Sequence, residues 1–166
     1  CCFCKYANEY PKTLIAHAKT HYKRKSELFS GIPGMRITVP SQWLKKQVEL
    51  SFFKNYPIQM IPNGIDLDKF HGTDHSVKEK LSLHNKFVIL GVSTFWTKEK
   101  GLEYFNRLAE QLDPAIYSVV LAGTTLHSCK IQANIVKVGK IDDANQYYSM
   151  ADVFVNPTLQ ETQGLT

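Results

Sequence analysis

The chain has 166 residues, 43% hydrophobic and 21% charged, with a formal net charge of +5. This composition excludes a disordered chain, and apolar runs as short as FVIL and VVLA exclude a bilayer-spanning helix. The charge is concentrated early: residues 1–46 hold nine Lys or Arg (Lys5, Lys12, Lys19, Lys23, Arg24, Lys25, Arg36, Lys45, Lys46) against Glu9 and Glu27. Such a patch suits a phosphorylated substrate or an anionic membrane face, and it equally suits a solvated helix face. HYKRK carries no recognition motif, so nucleic acid is not expected as a partner.

The first residue is Cys1, and no signal-like apolar stretch follows it, so the start is expected to be an internal cut. CCFC gives Cys1-x-x-Cys4 plus Cys2, which could supply half of a tetrahedral zinc site. His17, His21 and Cys129 follow at spacings of no standard zinc pattern, which favours a disulfide to upstream cysteines, or plain reduced thiols.

GMRITVPS reads as a short strand closed by Pro40, after which Ser41 can cap a helix QWLKKQVELSFF. Trp43, Leu44, Gln47, Val48 and Phe52 lie near one face of that helix. YPIQMIPNGIDLDKF reads as a strand between Pro57 and Pro62, then a tight turn at Asn63-Gly64 that accepts positive φ. Residues 71–85 are polar and read as a linker with a helical turn or more.

The remainder alternates strand and helix. KFVILGV is a near-continuous apolar run, as expected of a strand covered on both faces. KGLEYFNRLAEQL is amphipathic, with Leu102, Phe105, Leu108, Ala109 and Leu112 on one stripe. YSVVLAG and NIVKVGK read as two further strands, DDANQYYSMA as a helix with acidic residues at its start, and DVFVNP as the last strand. The expected fold is therefore α/β, a doubly wound, Rossmann-like parallel sheet with flanking helices.

Ligands bind such sheets at the C-terminal ends of the strands. Those ends are GVSTFWTKEKG, AGTTLHS, VGKIDD and NPTLQETQG. The first puts Lys98 and Lys100 before Gly101 at a helix start, where cations beside free N–H groups suit a phosphate or diphosphate; a solvent-facing helix cap fits equally well. Neither G-x-G-x-x-G nor a P-loop is present. Glu161 is the other candidate: alone it would be a solvated loop carboxylate, but Asn156, Pro157 and Gly164 around it are costly backbone choices for a plain loop.

TVPSQWLKKQV, IPNGIDLDKF, KGLEYF and YYSMADVFVNPTLQETQGLT occur in that order, and together they resemble glycosyltransferase family 4, the group 1 glycosyltransferases of GT-B fold. ILGVSTFWTKEKGLEYF is similar to bacterial exopolysaccharide members of the colanic acid and amylovoran type, and the resemblance covers roughly residues 30–166. It implies two Rossmann-like domains with a nucleotide-sugar donor between them. Residues 1–70 would be the tail of the N-terminal acceptor-side domain and the interdomain connection, with Asn63 and Gly64 in the interdomain loop. Residues 71–85 would be the polar linker, and 86–166 the truncated donor-binding domain, making a partial GT-B fold.

By the same resemblance Lys100 meets the donor diphosphate, and Glu161 matches the first glutamate of the E-x7-E motif. The second glutamate would fall after Thr166, so the chain reads as a fragment, inactive on its own. Lys98, Gly139, Lys140, Gly164 and Leu165 complete the assigned donor-binding set. The arginine usual before the lysine is not visible; Phe95 and Trp96 occupy that region, which puts more weight on Lys98. The implied activity is retaining transfer of a sugar from a nucleotide diphosphate to a polysaccharide or lipid-linked acceptor. The implied location is cytoplasmic, with peripheral contact at the inner face of a bacterial membrane. No cofactor and no metal are expected, and no Asp-x-Asp metal motif is read in the chain. A nucleotide-sugar epimerase of the same fold and a non-catalytic binding module are the alternatives.

Overall fold

The computed structural model describes residues 17–70, 72, 76–125 and 129–159, and the chain divides into two compact units, Cys1–Asn63 and Gly64–Thr166. Cys1, Cys2 and Cys4, and the site candidates Glu161, Gly164 and Leu165, lie outside the described residues. No described helix is long and apolar enough to cross a membrane.

In the first unit, α1 (Ala18–Phe29) carries Lys19, Lys23, Arg24 and Lys25 and buries none of its residues. Its i,i+4 pair Lys23–Glu27, at 3.8 Å and largely exposed, contributes little. The helix is held by aromatics: Tyr22 meets Phe52 edge-on at 5.3 Å, and the Tyr56 hydroxyl donates to the Phe29 carbonyl while accepting the Ile32 N–H. β1 (Ile37–Val39) and β2 (Ile58–Met60) pair in parallel, joined by α2 (Gln42–Glu49). Ser41 caps α2, its Oγ accepting the Leu44 N–H at 3.2 Å.

Two expectations for this stretch are corrected. Leu44 and Val48 are half-buried, but Trp43 and Gln47 are exposed, and α2 stops at Glu49, short of Phe52. The reason is Ser51, whose hydroxyl donates to the Val48 carbonyl and accepts the Phe53 N–H, competing with further helical bonds. Nor does Asn63-Gly64 form a positive-φ turn. The turn comes later, where the Asp66 carboxylate accepts the N–H groups of Asp68 and Lys69 at 3.0 and 3.2 Å.

The second unit is a four-stranded parallel sheet in the order β5-β4-β3-β6, with β3 at Phe87–Trp96, β4 at Tyr117–Thr125, β5 at Ile135–Gly139 and β6 at Val153–Phe154. Alternation along the central strands explains why both faces are covered. Ile89, Val119 and Leu121 face α4 (Leu102–Gln111) through Leu102, Phe105 and Ala109. Val88, Leu90, Val120 and Ala122 share the opposite core with Met150 of α5 (Ala144–Met150). The expected α/β fold with a parallel sheet and flanking helices is present.

Residues 71–85, read as a linker, contain α3 (Ser76–Lys80), and Val77 and Leu83 are buried in the α5-side core. One apolar side chain per turn among polar residues is enough to dock so short a helix, but it is a weak signal in sequence. α3 is also tied electrostatically: the Asp152 carboxylate accepts the Val88 N–H at 2.7 Å and Lys78 Nζ at 3.0 Å. The Val88 amide, more than Lys78, holds Asp152 below the ordinary carboxylate range, against an opposing effect of burial. A carboxyl depressed on folding stabilises above its unfolded pKa, and that contribution is lost as pH falls through the folded value. Asp152→Asn should therefore lower Tm by a few degrees at pH 7 and flatten the decline of Tm with acidification. Thermal melts at stepped pH values below 6 check this; parallel curves for the two proteins would contradict it.

β3 contains a bulge. Between Val92 and Phe95 the register against β4 advances by one extra residue on β3. One residue inverts which side chain faces which way. Trp96 is thereby turned into the α4-side core at 1% exposure, and Phe95 outward at 54%. Gly123 of β4, at φ +120, passes against the carbonyl of Ser93 in the bulge, where no Cβ fits.

Candidate functional site

All four strands of the second unit run in parallel, so their C-terminal ends share one edge. β3 connects through α4 to β4 on one side, while β6, reached through α5, returns to its other side. The sheet order thus reverses between β3 and β6, and a crevice at such a reversal is where open α/β sheets bind ligands. The chain leaving β3 carries Lys98 and Lys100, and the chain leaving β6 carries Asn156, Pro157, Thr158 and Leu159.

The structure brings these two segments together. The Leu159 N–H donates to the Glu99 carbonyl at 3.0 Å, and Pro157 sits against Gly101. Lys98 is exposed and Lys100 half-buried on the turn between them. Gly101 adopts φ +80 as the N-cap of α4, closing the turn so that its own N–H donates to the Lys98 carbonyl and the Leu102 N–H to that of Thr97. The Tyr104 N–H bonds to the Gly101 carbonyl. The expectation of free helix N–H groups is thus corrected for Gly101, Leu102 and Tyr104, because the left-handed glycine folds the carbonyls back onto them. Attraction for an anion at this turn comes chiefly from the lysine ammonium groups.

Two participants were not legible as site residues. Thr97 Oγ1 accepts the Lys100 N–H at 3.3 Å. Glu99 sits between the lysines, and its carboxyl is held below the ordinary range first by a hydrogen bond from the Thr97 side chain, with the Lys98 charge a smaller cause. An ionised Glu99 leaves the 98–100 turn with two positive charges and one negative. A threonine four residues before a helix-capping glycine is the signal that could have exposed the turn.

Gly139, at φ +71, and the exposed Lys140 end β5, two strands from β3. At the usual strand spacing that is about 10 Å along the edge, so the structure does not join them to the lysine turn. Asn63 closes the first unit and Gly64 opens the second. Asp66-Leu67-Asp68 does spell an Asp-x-Asp string, which corrects the reading that none exists. The Asp66 carboxylate serves as a turn cap there. Lys69 pairs with Asp143 at 3.8 Å and Phe70 packs on Tyr148, fixing this segment to α5. Among the described residues no group of three or more His, Cys, Asp or Glu could hold a metal ion.

Residues 86–166 match the family model for group 1 glycosyl transferases. No curated protein matches the sequence. Among solved structures, the chain is similar to sucrose-phosphate synthase from Thermosynechococcus elongatus, with TM-score 0.72 and 19% identity over 97% of this chain and 43% of that one. It is also similar to HepE of Anabaena in complex with UDP, with TM-score 0.75 and 15% identity over 87% of this chain and 44% of that one. A glycosyltransferase from Rickettsia africae gives TM-score 0.65 and 16% identity over 84% and 42%. The fold is thus that of GT-B glycosyltransferase structures, and the chain spans less than half the length of each of these three.

Proposed function

We propose that the second unit is the donor-binding part of a glycosyltransferase that moves a sugar from a nucleoside diphosphate to a polysaccharide or lipid-linked acceptor, with anomeric configuration retained. The observation that carries this reading is the joining of the Lys98–Lys100 turn to the segment after β6 at the point where the strand order reverses. The match of residues 86–166 to the group 1 model and the UDP bound to HepE support a nucleotide sugar as the ligand class. In this reading the lysines stabilise the departing diphosphate by charge, and no metal or other cofactor takes part. The family 4 and exopolysaccharide assignment rests on the sequence resemblance. The basic α1, none of whose residues is buried, is the support for a cytoplasmic protein touching an anionic membrane face.

The Glu161 carboxylate would face the donor sugar, hydrogen-bonding its hydroxyls or stabilising positive charge at the anomeric carbon. Glu161→Gln keeps shape and removes charge, so kcat should fall much more than donor affinity if the charge acts in the transition state. Donor consumption with and without acceptor, by a preparation that carries both domains of the GT-B fold, tests the reading itself. Consumption that requires acceptor supports a transferase, consumption without acceptor an epimerase, and binding without turnover a binding module.

A further inference from the structure

Glycine is required at position 101 for two separable reasons. The first is conformational: φ +80 is left-handed, a region that asparagine also enters at modest cost. The second is spatial. A Cβ at this position would lie 2.5 Å from Pro157 Cγ and 2.8 Å from the Pro157 carbonyl oxygen, and any side chain, asparagine included, would force the two segments apart.

Pro157 itself is held from both sides. Upstream, the Val155 N–H donates to the Leu90 carbonyl of β3 at 2.9 Å; downstream, the Leu159 N–H donates to the Glu99 carbonyl at 3.0 Å. The chain leaving β6 is therefore fastened to β3 and then to the turn that β3 runs into. The Leu159–Glu99 bond lies just beyond the Pro157–Gly101 contact, so that it closes only if Pro157 can seat on the start of α4.

We propose that Gly101 is a positioning residue: lacking a side chain, it lets Pro157 seat on the first turn of α4 and so fixes the chain after β6 to the Lys98–Lys100 turn. The role rests on the donor-site reading above and deepens it. Two loops that must meet one ligand are set at a fixed separation before it arrives, which preserves affinity by removing the cost of ordering them.

The test uses the 166-residue chain and its Gly101→Ala, Gly101→Asn and Pro157→Gly variants. Amide exchange is followed by NMR, and UDP, GDP and ADP are titrated separately. All three variants should exchange the Leu159 amide about tenfold faster or more, with the Leu90 and Val120 amides still protected. Each should also bind the diphosphates that the wild type binds about fivefold more weakly or worse. Pro157→Gly leaves Gly101 untouched, so it decides the matter even if a Gly101 variant fails to fold. Normal Leu159 exchange in Gly101→Asn would make backbone conformation the sole requirement and overturn the proposal. So would a released Leu159 with unchanged diphosphate affinity. A wild-type chain that binds none of the three nucleotides would overturn the donor-site reading and the positioning role with it, whereas the exchange data alone report on the Pro157 contact.

Discussion

Trp96→Ala is expected to destabilise the second unit by about 3–5 kcal/mol, the usual cost of truncating a large buried aromatic. Three effects add at this position. The indole is 1% exposed and meets Phe105 edge-on at 5.2 Å, so its removal opens a cavity between β3 and α4. Its ring edge also fills the space over Gly91, where the strand has no side chain of its own. Finally, Nε1 donates to the Ala122 carbonyl at 3.0 Å, and the truncation leaves that acceptor without its partner in the core. Small domains have only about 5–15 kcal/mol of total stability, so this one change should remove a large fraction of it. Phe95→Ala, at a side chain 54% exposed, should change stability by no more than about 0.5 kcal/mol. Urea denaturation of both variants checks the pair. Equal or inverted losses would mean that the β3 bulge does not set which aromatic is buried.

That bulge marks the limit of what could be read from the residues. FVIL and VVLA announce two covered strands because an unbroken apolar run suits a sheet with helices on both faces, and both are there as β3 and β4. The stripe Leu102, Phe105, Ala109 announces α4 equally directly. STFW carries no glycine or proline to mark an irregularity, so the extra residue that turns Trp96 inward shows only once β4 is paired alongside. Ser51 ends α2 through its own hydroxyl, a competition that helical periodicity does not register. At the candidate site, strand ends identify Lys98 and Lys100 as neighbours of a crevice because connectivity alone puts them there. The bond from Leu159 to Glu99 and the seat of Pro157 on Gly101 join residues more than fifty positions apart, and they depend on β6 returning beside β3. Local sequence carries no record of such a meeting.

Lys100→Ala should lower turnover on the order of a hundredfold in any preparation that consumes a nucleotide sugar, the typical loss when one preorganised charge facing a departing anion is removed. Lys98→Ala should cost less. Lys98 is exposed, and salt screens an exposed ammonium more than the half-buried Lys100. The difference between the two should therefore widen as ionic strength rises. Glu99 supplies an internal control: its carboxyl, held below the ordinary range chiefly by the Thr97 hydrogen bond, opposes an incoming diphosphate. Glu99→Gln removes that repulsion while leaving the backbone carbonyl that accepts the Leu159 N–H, so donor binding should tighten, most clearly at low salt. Loss with Lys100→Ala together with gain from Glu99→Gln would place the diphosphate at this turn. If both lysine variants turn over donor at the wild-type rate, the diphosphate lies elsewhere on the edge, and Lys140 after β5 becomes the cation to test.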